Sequence, residues 1–224
     1  MVGTNRRTRA IRPWYMLVLA LIGVVVVVVS SAIAYDGTVS APERFVFEAI
    51  NGLPDFLRAP MWVFQLAGLI GLPLVVALVA LVLRKFRLVL ALLLTVPIKL
   101  YIEQPLIKSV VDRQRPGRNQ DDPILRDVPA SGESFPSGHA AVAFSLAVLL
   151  TPYLGRRWRI VVWTIAVLNS VARIYLGAHN PLDVVAGAGA GLVMGGLLTF
   201  LVGVPATPER SEEAGADRTA ERQP

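Results

Sequence analysis

The sequence predicts an all-α, polytopic membrane protein built as a bundle of six transmembrane helices. Of its 224 residues, 54% are hydrophobic and only 17% are charged, and the mean hydropathy is +0.57. A soluble domain is usually about 45–50% apolar and about 25% charged. The apolar residues are gathered into stretches close to the roughly 20 helical residues that cross a hydrocarbon core of about 30 Å. This excess of apolar side chains is too large for one soluble core.

Six apolar stretches follow one another along the chain and are joined by more polar connections. They cover residues 14–34, 61–83, 87–107, 139–155, 160–177 and 181–204. Helices are the expected spanning form, because every backbone polar group in lipid must be satisfied inside the protein. The alternating pattern of a membrane barrel is absent. We therefore expect a transmembrane domain over 14–204, a basic cytoplasmic tail over 1–13 and a disordered cytoplasmic tail over 205–224.

The first stretch and the connection that follows it each have two interpretations. A basic start, an apolar run and the tripeptide Ala32-Ile33-Ala34 resemble a signal peptide with a cleavage site. The run is longer than the 7–15 apolar residues or so of a signal, which favours an uncleaved first helix. Residues 35–60 contain a loosely amphipathic segment that lies either on the membrane surface or packed as a connecting helix.

The basic residues predict the orientation. With a cytoplasmic N-terminus, more than half of the 22 Lys and Arg residues fall on the inner side, as the positive-inside rule requires. Most of the others lie in or beside the loop 108–138, where they need a local reason. We expect this loop and the turn 178–180 to face the outside of the plasma (inner) membrane.

Composition excludes several kinds of site. The chain has no cysteine, so disulfides, thiolate metal sites and a cysteine nucleophile are excluded. The only histidines are His139 and His179, which excludes a histidine-rich metal centre. The basic residues lie between apolar runs, a pattern typical of loops beside an anionic membrane and not of a nucleic-acid groove. We expect no metal, no cofactor and no nucleic-acid partner.

Three polar clusters lie at the predicted outer ends of helices three to six. They are residues 108–116, 136–139 and 173–183. Each has an ordinary explanation taken alone, as interfacial anchors, as a helix-capping turn, or as a helix start with Asn180 as N-cap and Asp183 in the first turn. Together they share one membrane side and contain both histidines. Arg173 also stands in an apolar stretch, where a cation is costly and usually functional.

The clusters supply what phosphoryl transfer needs. Lys108, Arg115 and Arg173 offer three fixed cations for phosphate oxygens. Ser137, Gly138 and His139 offer backbone N–H groups at a helix N-terminus, which is a ready anion site.

Two histidines then remain for making and breaking bonds. Asp183 follows His179 by four residues at a helix start, so its carboxylate can hold one ring nitrogen and leave the other to attack phosphorus. This predicts His179 as the nucleophile and His139 as the general acid that protonates the leaving oxygen.

The clusters resemble the three signature motifs of the type 2 phosphatidic acid phosphatase superfamily. The first motif is Lys, six residues, Arg-Pro, matched by Lys108 and Arg115-Pro116; the second, Pro-Ser-Gly-His, is matched at 136–139. The third is Ser-Arg, five residues, His, three residues, Asp, matched at 173–183 except that Ala172 replaces the usual Ser.

The resemblance implies a metal-independent lipid phosphatase with a phosphohistidine intermediate. It also implies phosphate-binding roles for a set of five residues: Lys108, Arg115, Ser137, Gly138 and Arg173. The substrates compatible with it are polyprenyl diphosphate, phosphatidic acid and phosphatidylglycerol phosphate. Two alternatives stay open, a phosphotransferase that passes the phosphoryl group to another lipid and a non-enzymatic transporter or scaffold that binds a lipid headgroup. The oligomeric state is not predicted.

Overall fold

The computed structural model describes residues 10–102, 111–127 and 132–205. In this part of the chain the helices are α1 (Tyr15–Ala34), α2 (Ala41–Asn51), α3 (Arg58–Gln65), α4 (Leu72–Val82), α5 (Phe86–Ile102), α6 (Pro116–Asn119), α7 (Gly138–Leu150), α8 (Arg156–Tyr175) and α9 (Pro181–Val202). Two short strands, β1 (Ala10–Ile11) and β2 (Val204–Pro205), pair antiparallel. The all-helical prediction is therefore confirmed apart from this small strand pair.

Helix α9 is the central element of the bundle and packs between α1 and α7. Glycines allow the close approach, because a Cβ added at Gly187 would lie 2.3 Å from the Ser137 carbonyl oxygen. A Cβ added at Gly191 would lie 2.6 Å from the Ala141 oxygen. The glycine repeat of α9 therefore serves packing inside one molecule.

The strand pair shows how α1 and α9 are oriented relative to each other. Because β1 precedes α1 and β2 follows α9, their pairing puts the start of α1 beside the end of α9. The two helices are thus antiparallel. The start of α9, the start of α7 and the end of α8 lie together at the opposite end, where the second and third polar clusters are found.

The predicted span over 61–83 is wrong as a single straight helix. Helix α3 ends at Gln65, a 3₁₀ turn covers Leu66–Gly68, and α4 begins at Leu72. The segments Asp55–Gly68 and Leu72–Val82 are bent by 68°. The break packs closely on α7, since a Cβ added at Gly68 would lie 2.6 Å from the Cβ of His139.

The carbonyls exposed by this break have partners. Asn169 Nδ2 of α8 donates to the carbonyl oxygens of Phe64 and Gln65 at 3.1 and 3.0 Å. Such groups are costly to leave unsatisfied inside a protein or membrane. The break is therefore a stable feature of the fold.

By length and composition, α1 and α9 can each cross a membrane, and the bent pair makes a third span if it counts as one, within the residues that the structure describes. Helix α7 is apolar but shorter, with 13 residues. Residues 103–107 of the third predicted stretch, residues 1–9 and residues 206–224 lie outside the described part. The six-span count and the domain boundaries accordingly stay predictions.

The connection after α1 forms a packed helix. Phe47 of α2 is buried against Ala140, Ile174 and Val184 from α7, α8 and α9. This contact places α2 beside the polar end of the bundle. Residues 35–60 were expected either to lie on the membrane surface or to form a packed connecting helix, and α2 is a packed connecting helix.

Candidate active site

The second and third polar clusters meet at the start of α7 and α9. The Ser137 backbone N–H donates to the Asp183 carbonyl oxygen at 2.8 Å. Ser137 is the N-cap of α7, and its hydroxyl accepts from the Ala140 N–H at 3.5 Å. Gly138 and His139 follow as the first residues of α7, so their N–H groups belong to the turn that lacks helical acceptors. The helix start that the sequence predicts is present here, and anion binding at it stays a prediction.

His179 lies in the tight turn between α8 and α9. The N–H groups of Ala178 and His179 both donate to the Arg173 carbonyl oxygen, at 3.0 and 3.2 Å. Gly177 allows this turn because its φ of +75° is unfavourable for other residues. The chain thus reverses within a few residues and brings His179 next to the start of α9.

The two ring nitrogens of His179 have different surroundings. Nδ1 lies 3.6 Å from Asp183 Oδ2 and 3.4 Å from Ser134 Oγ. Nε2 lies 3.3 Å from an Arg115 Nη1 nitrogen. With the proton on Nδ1, toward the carboxylate, Nε2 keeps its lone pair on the side of the arginine.

Asp183 is buried and held on several sides. Its Oδ2 accepts from the Asn180 N–H at 2.7 Å, which completes the capping box of α9, and it also accepts from the Ser134 hydroxyl. Ser134 was not predicted, since a serine before Pro136 carries no distinctive sequence signal. The contact explains how the carboxylate keeps its orientation toward His179.

His179 is almost completely buried, with 3% of its surface exposed. Burial lowers the pKa of His179 from 6.5 to about 4. Asp183 opposes this shift, while the positive charges of Arg173 and Arg115 add to it. The ring is therefore neutral near pH 7, which is the form that a nucleophile requires.

Two of the three predicted cations are in the described residues. Arg115 Nη1 donates to the Ala178 carbonyl at 2.8 Å, and its other nitrogens donate to the carbonyls of Gly132 and Glu133. Arg173 is 2% exposed, and its Nη1 donates to Gln65 Oε1 at 2.6 Å. Among the described residues, Arg173 Nε has no hydrogen-bond partner. A buried cation of this kind favours the binding of a negatively charged group beside it.

Lys108, the third predicted cation, lies outside the described residues. His139 is half-buried on the first turn of α7, beneath the break between α3 and α4. Gln65 was not predicted, because it lies more than 100 residues from Arg173 in sequence. In the parts of the chain that are described, no group of three His, Asp or Glu side chains could hold a metal ion.

A buried ion cluster lies behind the Asp183 carboxylate, and the sequence did not predict it. Arg113 is fully buried and donates from Nη1 to Asp183 Oδ1 at 3.0 Å and to Glu43 Oε1 at 2.9 Å. Its Nη2 donates to Glu43 Oε2 at 2.5 Å. Glu43 belongs to α2, and no local motif connects it to the other two residues.

Further basic residues, in α2, at the start of α3 and in the loop before α7, have local partners. Arg126 is buried and donates to the carbonyls of Asn51 and Tyr175 at 2.8 and 2.6 Å, with its guanidinium 4.0 Å from the centre of the Tyr175 ring. Arg44 pairs with Asp121, and Arg58 pairs with Asp127. Each of these three arginines therefore has a structural partner within the described residues.

An open cavity of about 660 Å³ lies beside Arg115. Its walls come from residues 112–115, 117–118 and 132–133 together with Leu125 and Gly177. Arg118 is exposed at this cavity. The cavity is lined by Arg115, whose Nη1 lies 3.3 Å from His179 Nε2.

Residues 84–204 match the model of the PAP2 superfamily, and the chain belongs to this superfamily. It is a lipid phosphatase of this class. The match covers α5 to α9 and both histidines, and it leaves α1 to α4 outside. The resemblance stated from the motifs is thereby confirmed.

Individual relatives agree with this assignment. The chain is 33% identical over 164 residues to the lipid A 4'-phosphatase of Bacteroides thetaiotaomicron. The aligned region covers 65% of this chain and 72% of the relative. The crystal structure of Aquifex aeolicus LpxE matches with a TM-score of 0.59 and 27% identity, over 68% of this chain and 92% of that one.

A further solved structure is similar in fold. The PAP2-type phosphatidylglycerolphosphate phosphatase of Bacillus subtilis matches with a TM-score of 0.58 over 84% of this chain and 96% of that one. Its identity is 22%. This similarity extends the shared fold beyond the part matched by the family model.

Proposed function

We propose that the chain hydrolyses a phosphate monoester or diphosphate of a membrane lipid without a metal ion, through a phosphohistidine intermediate. The observation that carries the proposal is the placement of His179 between Asp183 and Arg115. One ring nitrogen faces the carboxylate and the other faces a cation. A neutral imidazole in this setting is oriented for attack on a bound phosphate.

Phosphate binding is assigned to cations and helix N–H groups. Arg115 and Arg173 bind the phosphoryl oxygens together with Ser137 and Gly138 at the start of α7. Lys108 is proposed as the third cation on the strength of its motif. These donors are fixed before the substrate arrives, so they stabilise the charge that develops during transfer without reorganising.

In the first chemical step, the Nε2 lone pair of His179 forms a bond to phosphorus as the bond to the lipid or phosphate oxygen breaks. His139 donates a proton to that leaving oxygen. The phosphorylated ring keeps its Nδ1 proton and gains positive charge, which Asp183 stabilises. In the second step, water attacks phosphorus, His139 accepts the proton, and inorganic phosphate leaves with Nε2 neutral again.

The proposed location is the plasma (inner) membrane, with six spans and the active site facing outside. The support is the basic inner connections together with the position of the site at the end of the bundle opposite the β1–β2 pair. The substrate is a lipid whose headgroup enters the cavity near Arg115 from the outer leaflet. Polyprenyl diphosphate, phosphatidic acid and phosphatidylglycerol phosphate belong to this class, and so does lipid A, which the name of the Bacteroides thetaiotaomicron relative gives as its substrate.

The test uses the purified full chain in detergent micelles. Inorganic phosphate release is measured with each of these four lipids and with a matched phosphodiester lipid. Release from at least one phosphate or diphosphate lipid, abolished by His179→Ala, is the expected result. Turnover by His179→Ala equal to wild type would overturn the mechanism, and no release from any lipid would overturn the proposed substrate class.

A further inference from the structure

We propose that Glu43 is a positioning residue for the nucleophile, acting through Arg113 and Asp183; the inference rests on the proposed phosphohistidine function. The three side chains form a buried chain of alternating charge, with 6% of Glu43 and none of the other two exposed. Glu43 belongs to α2, outside the 84–204 segment that matches the superfamily model. The site therefore uses a carboxylate from the other part of the chain.

The charges of the cluster give Glu43 its role. Asp183 has to present a negative charge to the His179 ring, which becomes positive when Nε2 bonds to phosphorus. Arg113 lies 3.0 Å from the same carboxylate and by itself would cancel that charge. Glu43 neutralises Arg113 from its other side, so the cluster keeps a net charge of one negative unit next to His179.

The geometry supports this division of roles. Arg113 Nη1 is shared between Glu43 Oε1 and Asp183 Oδ1, at 2.9 and 3.0 Å, while its Nη2 donates to Glu43 and to the Thr38 carbonyl. Glu43 Oε1 also accepts from the Leu182 N–H at 2.9 Å, which caps the first turn of α9. Glu43 is thus fixed to the same helix start that carries Asp183.

A role in stability alone is a weaker explanation. Burying ions costs solvation free energy, and a buried ion cluster is often no more stable than apolar residues of the same size. An electrostatic role differs from a structural one because its loss depends on the net charge of the cluster. If Glu43 serves to offset Arg113, removal of both residues preserves the net charge beside His179, whereas removal of Glu43 alone does not.

The experiment compares Glu43→Gln with the double variant Glu43→Gln/Arg113→Met and with Glu48→Gln as the matched control. Glu48 is exposed on the same helix and loses the same charge. All are full-length proteins in micelles, assayed with the best lipid substrate from pH 3 to pH 9. Size-exclusion chromatography confirms that each is folded, and His179→Ala gives the background rate.

We expect Glu43→Gln to lower kcat about 10- to 100-fold with KM within about twofold, because the phosphate contacts are untouched. The acid limb of kcat/KM should move to lower pH by about 0.5–1 unit, because the ring loses a nearby negative charge. The other titratable and charged groups that act on His179 are unchanged in this variant; they are Arg115, Arg173, Asp183 and His139. Glu48→Gln should match wild type.

The double variant gives the decisive comparison. It should recover at least about fivefold in kcat over Glu43→Gln and return the acid limb toward wild type, because the two charge changes cancel. If Glu43→Gln does not fold, the recovered acid limb of the folded double variant is the supporting result. Wild-type kcat in Glu43→Gln, or a folded double variant no better than the single one, would overturn the proposal. Either result would leave the proposed function standing as long as His179→Ala is inactive.

Discussion

Replacement of Arg173 by Lys tests whether the substrate phosphate binds beside the buried Arg173 guanidinium. In the structure Arg173 uses Nη1 for Gln65 at 2.6 Å, and Nε has no partner among the described residues. A lysine has one side-chain nitrogen, so it cannot donate to Gln65 and also form a bidentate contact with a phosphate. The substitution therefore loses at least one charge-assisted hydrogen bond.

The size of the loss follows from that bond. A hydrogen bond to a charged group contributes about 1.5–3 kcal/mol, which corresponds to about a 10- to 150-fold lower kcat/KM at 1.36 kcal/mol for each factor of ten. The assay measures initial rates of phosphate release from a lipid phosphate in micelles. Arg118→Lys, the same change at an exposed position beside the cavity, should stay within about twofold of wild type.

A second variant shows whether the effect passes through Gln65. Gln65→Leu should lower kcat/KM in the wild-type background and have a smaller effect in Arg173→Lys, because both changes disturb one contact. Equal losses in Arg173→Lys and Arg118→Lys would refute the placement of the phosphate. Strictly additive losses for Gln65 and Arg173 would refute the coupling.

Further expectations concern the histidines, metal, pH and topology. His139→Ala should reduce hydrolysis of a lipid monoester more than that of an aryl phosphate, whose good leaving group needs little protonation. His179→Ala should abolish hydrolysis of both substrates. Equal losses for the two substrates in His139→Ala would contradict the role of His139 as general acid. Activity should survive EDTA, and loss restored by Mg²⁺ would contradict the mechanism. Since only neutral His179 attacks and its pKa is lowered to about 4, the acid limb of kcat/KM, corrected for substrate ionisation, should be centred near that value. An acid limb centred near pH 6.5 would contradict the burial argument. A cysteine replacing Arg118 should be labelled from outside intact cells and one replacing Lys85 only after permeabilisation, both against a chain with no native cysteine; the reverse pattern would invert the topology.

The sequence predicts the parts of the site that are local. His179 and Asp183 are four residues apart at a helix start, and the capping box of α9 that this spacing favours is present. The Pro-Ser-Gly-His segment likewise predicts the start of α7, because an N-cap serine and its following N–H groups are defined within a few residues. Such features depend on one turn of backbone and can be read from spacing alone.

Other parts depend on contacts between distant segments and could not be predicted in this way. Gln65 reaches Arg173 and Glu43 reaches Arg113 only because the bundle brings different helices together. The break after Gln65 was missed for a related reason. Hydropathy averages over the apolar run and does not register that Gly68 has to fit against His139. An apolar stretch predicts membrane affinity and leaves the path of the helix undetermined.

The close contact between α9 and α7 has a consequence for how this site can diversify. At Gly187 the backbone of α9 lies in close contact with the Ser137 carbonyl, so no side chain separates α9 from the turn that is proposed to bind phosphate. The distance between the two helix starts is a property of main-chain packing and is insensitive to rotamer choice. Under the proposed function, substitutions around the cavity can therefore alter which headgroup enters while the spacing between the starts of α7 and α9 stays constant. Substrate choice and bond cleavage would then depend on separate sets of atoms.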